Sequence, residues 1–286
     1  MSLLLSEIAI ATARLAEAGV ESPRTDAELL AAHRHGVSRS GLHLVADSGF
    51  DPRYWDDVGR REAREPLQHI IGLAYFRYLE LEVGPGVFVP RPETEVLAGW
   101  AIDRLGEMDV AEPVVADLGT GSGAIALSIA QEVPRARVHA VEADPIAGEW
   151  TRKNIARTIA AVPNVAGRLR LHYGDFETAL ADLSGGVDLL VSNPPYVPLG
   201  AGLPPEVADY EPTAALWSGA DGLDAIRVVE RTAKRLLSPG GWVGVEHGST
   251  QGAAVYWIFA EEQGWRETRN NRDLAGLDRF VTARLA

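Results

Sequence analysis

Cysteine is absent from the 286 residues. That excludes disulfides, thiolate nucleophiles and cysteine-ligated metal sites. Basic residues are in short supply: 27 Lys and Arg stand against 40 Asp and Glu, a formal charge of −13. Such an acidic excess repels a phosphate backbone, so no direct nucleic-acid partner is expected unless a local basic patch exists. The densest basic run, Arg60-Arg61-Glu62-Ala63-Arg64, is interrupted by acids. A solvated helix face accounts for it, the alternative being a docking edge for an acidic or RNA-like partner. Long apolar runs are missing too. No stretch reaches the roughly 20 residues of a membrane span, so no membrane partner is expected. Leu3-Leu4-Leu5 is soon followed by Glu7, Arg14 and Glu17, which suits an amphipathic helix better than a signal peptide. With the lack of cysteine, this points to the cytoplasm.

What is present can build a core, since 46% of residues are hydrophobic and 23% charged. The first part of the chain reads as helices. Ser6 to Ala18 has apolar residues at helical spacing and stops at Gly19. Ser22-Pro23-Arg24-Thr25-Asp26 caps a second helix over Ala27 to Arg34, and Asp51-Pro52 opens a third towards Arg64. Tyr75 to Pro90 changes character: two β-rich runs flank Gly84-Pro85-Gly86, which reads as a hairpin turning there. Arg91-Pro92-Glu93-Thr94-Glu95 then opens a helix.

From Pro113 the pattern alternates. Strand-like runs fall at Val114–Leu118, Arg137–Val141, Leu169–Tyr173, Val187–Ser192 and Gly241–Glu246. Helical runs fall at Ala124–Glu132, Ile146–Ala160, Gly222–Leu237 and Gln251–Glu262, and a last strand spans Arg279 to Arg284. Repeated β-α-β implies a mostly parallel sheet covered on both faces. The expected organisation is a helical domain over residues 1–74, a hairpin linker over 75–90, and an α/β domain over 91–286.

Asp117-Leu118-Gly119-Thr120-Gly121-Ser122-Gly123 follows the first strand of this region and opens a helix. Glycines let the backbone approach a ligand, and the helix start favours negative charge. The spacing is not that of a dinucleotide fingerprint, and the Lys-Ser/Thr ending of a triphosphate loop is missing. A nucleoside carrying an amino-acid carboxylate fits better. The second strand ends in Glu142, an acid able to accept from both ribose hydroxyls. After the third comes Gly174-Asp175-Phe176, where Asp175 can accept from an exocyclic amine and Phe176 can stack on a purine. Three loops at three strand ends point to one adenosine crevice.

The fourth strand ends Ser192-Asn193-Pro194-Pro195-Tyr196. A residue before proline is held extended, and proline donates no backbone hydrogen bond. The segment should therefore form a stiff rim offering two acceptors, the Asn193 side-chain oxygen and the Pro194 carbonyl. Two acceptors suit an –NH2 group whose lone pair is delocalised and which is a poor nucleophile. Gripping its protons would align it with a sulfonium methyl donor, and such positioning can supply roughly 7–11 kcal/mol of a barrier at best. The sulfonium is already activated, so no metal is demanded. Tyr196 would pack its ring against the acceptor and exclude water.

These residues resemble a family. DLGTGSGAIALSIA, VSNPPY and GWVGVEHG are similar to segments of the bacterial release-factor glutamine methyltransferases of the HemK/PrmC type. The likeness extends to SPRTDAELLAAH, REPLQHIIG, VFVPRPETE and DLAGLDRFVTARL, and so covers nearly the whole chain. It implies a Rossmann-like class I methyltransferase domain with an antiparallel last strand, behind a small N-terminal helical domain that recognises the substrate. It implies methyl transfer from S-adenosyl-L-methionine to the side-chain amide nitrogen of the glutamine in the Gly-Gly-Gln motif of class-1 peptide-chain release factors. By motif match, Asp117 and Gly119 through Gly123 (with Thr120, Gly121 and Ser122) would hold the methionine end and Glu142 the ribose. Asp175 and Phe176 would frame the adenine, with Asn193 also near the donor. Asn193, Pro194 and Tyr196 would carry catalysis and, with Pro195, bind the glutamine. Arg91 and Glu93 would line the entrance. Glu142 stands where many members have Asp, and Phe176 where some have Trp. Glu246-His247 is a candidate supporting pair behind the site, with His247 read as structural. The alternatives are an adenine-N(6) methyltransferase acting on DNA or RNA, for which the chain lacks a basic reading surface, and a ribosomal-protein glutamine methyltransferase.

Overall fold

The computed structural model describes residues 3–47 and 51–286; the other residues of the expected 1–74 domain lie outside the described ones. Two compact units result. One runs to Leu73 and takes in Leu203–Glu211 from far along the chain; the other comprises Ala74–Gly202 and Pro212–Ala286.

The first unit is helical: α1 (Leu3–Glu17), α2 (Pro23–His35), α3 (Arg53–Glu62) and the short α4 (Leu67–Ile71). On α1, Leu4, Ile8, Ala11 and Leu15 are buried and form a single stripe. The stripe packs with Ala27 and Leu30 of α2 and with Tyr54 and Val58 of α3. Each fully buried Leu, Ile or Val side chain contributes about 1.5–3 kcal/mol relative to exposure. Helix α2 stops at Gly36, whose left-handed φ of 63° lets its N–H reach the carbonyls of Ala32 and His33. The basic run of α3 is engaged inside this unit. Arg60 pairs with Glu65, Arg61 with Asp26 at 2.8 Å and Glu206 at 3.0 Å, and Arg64 with Glu206 at 2.6 Å. Glu206 lies on α8 (Pro205–Ala208), and the nearby Tyr210 hydroxyl donates to the Ala63 carbonyl at 2.7 Å. The run is thus a set of intramolecular ion pairs, which differs from the solvated face expected.

The second unit begins with a hairpin of β1 (Leu73–Phe76) and β2 (Leu79–Glu82), followed by α5 (Thr94–Glu107). A seven-stranded sheet then forms from β3 (Val114–Leu118), β4 (Arg137–Glu142), β5 (Leu169–Tyr173), β6 (Val187–Ser192), β7 (Leu237–Glu246), β8 (Trp265–Arg272) and β9 (Asp278–Leu285), in the order β5-β4-β3-β6-β7-β9-β8. The run from β5 to β7 is parallel, while β9 is antiparallel to both β7 and β8. This is the mostly parallel, Rossmann-like sheet expected. Intervening helices are α6 (Ala124–Glu132), α7 (Pro145–Ala161), α9 (Asp224–Leu236) and α10 (Gly252–Ile258). Side chains alternate across the sheet. Leu189 and Val191 of β6 join a core with Leu97, Leu105, Ile125 and Ile129 of α5 and α6. Leu190 joins the opposite core with Ile226, Val229 and Leu236 of α9 and Phe259 just beyond α10. Period-2 alternation between two apolar faces is why these strands are buried on both sides.

Beyond shifted ends (α10 stops at Ile258 and β7 starts at Leu237) and the short helices α4 and α8, two elements differ from the sequence reading. The hairpin turns at Arg77-Tyr78, not at Gly84-Pro85-Gly86. Arg77 takes a positive φ of 51°, and its N–H donates to Glu95 at 3.1 Å while its guanidinium grips Glu132 at 2.7 and 2.6 Å. Those bonds offset the cost of a left-handed non-glycine residue. The glycines serve close packing instead: a Cβ on Gly84 would lie 2.7 Å from Trp150, and one on Gly86 2.4 Å from Ile146, both on α7. The second difference is β8, a strand absent from the sequence reading. It is an edge strand whose charged residues face solvent, with Trp265 its one buried anchor, and charge on such an edge discourages pairing with other chains.

Candidate active site

Strand β3 has β4 on one side and β6 on the other, so the chain reverses its winding there and leaves a crevice at the carboxyl ends of the strands. Leu118 is in register with Ser192, and the Ser192 hydroxyl donates to the Leu118 carbonyl at 2.7 Å. The glycine loop and the Asn-Pro-Pro-Tyr segment therefore leave the sheet side by side.

The loop is shaped by its glycines and fastened from beneath. Gly119, Gly121 and Gly123 have φ of 73°, 59° and 89°, a region side chains disfavour. Asp117 points inward: its Oδ2 accepts from the Thr120 hydroxyl at 2.7 Å and from the Ala126 N–H at 3.1 Å. Burial pushes its carboxyl up to about 7, against the pull of those two bonds. From α7, the Thr151 hydroxyl donates to the Gly121 carbonyl at 2.6 Å, and Asn154 donates to the Ser122 carbonyl at 2.9 Å. Thr151 and Asn154 were not singled out from the sequence, because nothing marks them within an ordinary helix.

Glu142, at the tip of β4, is almost fully buried. One oxygen accepts from the Gly121 N–H at 2.8 Å and the other from the Asp144 N–H at 2.9 Å. Burial raises its pKa even so. Phe176 lies against the loop, since a Cβ on Gly119 would come within 3.0 Å of its ring. Asp175 is exposed beside it and accepts from the Glu177 N–H at 2.9 Å. The structure thus brings the glycine loop, Glu142 and Phe176 together around one crevice.

On the β6 side, the rim is braced from several directions. Asn193 Nδ2 donates to Thr94 Oγ1 at 3.1 Å, and the Tyr196 hydroxyl reaches Glu246 Oε1 at 3.4 Å. Burial pushes the Glu246 carboxyl up to about 7, and its Oε2 has no hydrogen-bond partner among the described residues. Burial raises the Tyr196 pKa as well, so that hydroxyl stays protonated and donates. The Tyr196 ring packs partly on the core formed with α9 and α10. The Pro194 carbonyl receives no backbone hydrogen bond among the described residues. Gln251 ties three loops together, donating to the carbonyls of Tyr196 at 3.0 Å and Asp221 at 3.1 Å and accepting from the Gly248 N–H at 2.8 Å. Sequence reasoning missed Gln251, which carries no motif. Arg91 sits 4.9 Å over the Phe88 ring and favours the ionised form of Tyr196 by its charge. Exposed Glu93 opposes ionisation of Glu246. His247 is bonded through Nδ1 to the Gly248 carbonyl at 2.9 Å and through Nε2 to Asn270 at 3.1 Å, as a structural histidine would be. No cluster of three or more potential metal-ligating side chains occurs among the described residues.

The PrmC N-terminal domain family matches residues 8–72, and the methyltransferase small domain family matches residues 102–202. Among curated relatives, the chain is 61% identical to a "Release factor glutamine methyltransferase" of Streptomyces coelicolor, covering 100% of this chain and 99% of that one. It is 42% identical to a "4-amino-L-phenylalanine/4-methylamino-L-phenylalanine methyltransferase" of Streptomyces pristinaespiralis, over 89% and 86% of the two chains. Among solved structures, the hMettl16 catalytic domain, in complex with MAT2A 3'UTR hairpin 6, shares the fold, with a TM-score of 0.55 at 15% identity over 83% of this chain and 82% of that one.

Proposed function

The chain belongs to the release factor glutamine methyltransferase family, and from that premise we propose how its crevice methylates the Gly-Gly-Gln glutamine of class-1 release factors. S-adenosyl-L-methionine supplies an electrophilic methyl group when bound. Its parts fit the crevice: Glu142 offers carboxylate oxygens for ribose hydroxyls, Phe176 a ring face and Asp175 an acceptor for adenine, and the Gly119–Gly123 loop lets backbone approach the amino-acid end. Asp117 acts from below by fixing the loop rather than by touching the ligand.

Asn193 Oδ1 and the Pro194 carbonyl grip the two protons of the glutamine –NH2, aiming its nitrogen at the methyl carbon. Pro194 and Pro195 keep that rim rigid, and Tyr196 closes its far side. No general base of high strength is needed, because the proton is lost only after the nitrogen has gained positive charge. The helical unit recognises the release factor, a role supported by the match of residues 8–72 to the family's own N-terminal domain. No helix is long and apolar enough to cross a membrane among the described residues, and a cytoplasmic location is in keeping with a release factor as substrate.

One observation carries this reading: the Asn193 amide is held with its nitrogen already engaged by Thr94, so its oxygen is left for the acceptor. The test incubates labelled donor with purified release factor, with 4-amino-L-phenylalanine and polynucleotide as competing acceptors, followed by peptide mass analysis. One added methyl on the Gly-Gly-Gln glutamine is expected. Asn193→Ala should lower turnover by on the order of 10²-fold or more while donor affinity changes only a few-fold. Label on the competitors alone would overturn the substrate assignment.

A further inference from the structure

The segment Asp273-Leu274-Ala275-Gly276-Leu277-Asp278-Arg279 has no part in holding the donor or the acceptor nitrogen. Its first five residues form the turn between β8 and β9. Strand β9 runs antiparallel to β7, and Phe280 lies opposite Glu246, the last residue of β7. The turn therefore stands at the carboxyl ends of the parallel strands, where the crevice opens.

Turn and rim belong to one braced body. Gln251 donates to the Tyr196 carbonyl at 3.0 Å. Gly252, next in the chain, is packed so closely that a Cβ on it would lie 2.3 Å from Asn270 and 2.8 Å from Asp278. Asn270 donates to Asp278 at 2.7 Å, and Asp278 directly follows the turn. The turn itself is fixed in shape. The Asp273 N–H donates to the Leu277 carbonyl at 2.8 Å, and the Gly276 N–H to the Asp273 carbonyl at 2.9 Å. The buried Asp273 carboxylate accepts from the N–H groups of Ala275 and Leu277 at 2.9 and 3.0 Å, and from Arg279 Nε at 3.1 Å. Gly276, with a φ of 80°, lets the chain close.

This clasp holds apolar side chains outward: Leu274 is 95% exposed and Leu277 51%. A single surface leucine is ordinary. Two on one rigid turn at the mouth of a crevice are not, and a turn already ordered loses little freedom on binding. Leu199, three residues beyond Tyr196, is 63% exposed as well, with its N–H fastened to the Gly219 carbonyl at 2.9 Å. Apolar side chains thus stand on the loop that leaves the Asn-Pro-Pro-Tyr rim and on the β8–β9 turn.

We infer that the turn of residues 273–277 docks the protein substrate, Leu274 and Leu277 receiving an apolar side chain that flanks the methylated glutamine. The inference rests on the release-factor reading given above. The occupant follows from the acceptor. A glutamine seated in the rim brings its own chain across the strand ends, and the two glycines before it have no side chains to be read. Selection of the right glutamine has to draw on residues further out. A second copy of this chain is a poorer occupant, because the adjoining edge strand β8 exposes Arg266, Arg269 and Arg272, and like charges on an edge oppose pairing.

The test uses the full-length enzyme, a purified release factor and S-adenosylmethionine. Leu274→Asp should raise the KM for the release factor by on the order of 10-fold or more, while kcat, donor Kd and melting temperature stay close to wild type. Leu274→Met, which keeps the apolar bulk, should retain the wild-type KM. Replacing Leu274 by photoreactive benzoylphenylalanine gives a second reading. Irradiation should link the enzyme to the release factor beside the methylated glutamine, as located by peptide mass analysis. An unchanged KM for Leu274→Asp, or a Leu274→Met variant as impaired as Leu274→Asp, would overturn the docking role. Cross-links confined to a second copy of the enzyme, or to a remote part of the release factor, would do the same. If the wild type leaves the release factor unmethylated, the parent reading falls and takes the docking with it. A wild type that methylates beside an unaffected Leu274→Asp removes the docking alone.

Discussion

Two carboxyls lie deep beneath the crevice, Asp117 and Glu246, and burial pushes each up to about 7 from 3.8 and 4.5 respectively. In the unfolded chain both ionise at those lower values, so between the two limits the folded state binds more protons. Their contribution to stability is therefore fully present below the unfolded values and is lost as pH rises through about 7. Histidines act in the opposite sense: burial depresses His139 to about 4 and also lowers His247 from 6.5, which costs stability as pH falls below 6.5. The melting temperature should consequently rise when pH is lowered from about 8 to about 6.5. Differential scanning calorimetry checks this, and Asp117→Asn or Glu246→Gln should each flatten the rise. An unchanged slope in both variants would mean that these anions are already well solvated by the fold.

At the scale of elements, the parallel strands and the helices between them were legible because each repeats a simple pattern: period 2 with two apolar faces, or an apolar stripe bounded by Gly and Pro. The hairpin and β8 were not. Gly84-Pro85-Gly86 has the composition of a turn, yet its glycines answer to α7, and the actual turn uses Arg77 because ion pairing and a Glu95 acceptor hold it there. Gly86 has a φ of 88°, and a Cβ there would lie 2.4 Å from Ile146 Cγ2. Gly86→Ala should destabilise the fold by about 1–3 kcal/mol in urea unfolding. Adding Ile146→Ala should recover part of that loss but not all, since the left-handed backbone strain remains. Full recovery would assign the whole cost to the clash.

For the whole molecule, the helical unit is completed by a segment that sequence order assigns elsewhere. Leu203–Glu211 belongs to it, and Glu206 supplies a carboxylate to both Arg61 and Arg64. Glu206→Ala leaves the nearly buried Arg61 with only the Asp26 carboxylate and the Glu65 carbonyl and should destabilise this unit by about 1–3 kcal/mol. Hydrogen exchange is the measurement: amides of α2 and α3 should exchange faster while those of β3 to β7 keep their protection. Equal acceleration throughout would show that the two units unfold as one.

By itself, the sequence determined the order of strands and helices, the glycine loop, the acid at the tip of β4 and the proline-stiffened rim, because each rests on local chemistry within a few neighbouring residues. Only the tertiary structure decided which way those groups face. It turned Asp117 inward to clasp the loop, set Thr151 and Asn154 beneath it, and drew Gln251 across three loops. It also joined Asn193 to Thr94 and Tyr196 to Glu246, residues scattered along the chain. The direction of a buried hydrogen bond depends on which partners have protons to give, and that is settled by burial and by neighbours brought together from distant parts of the chain.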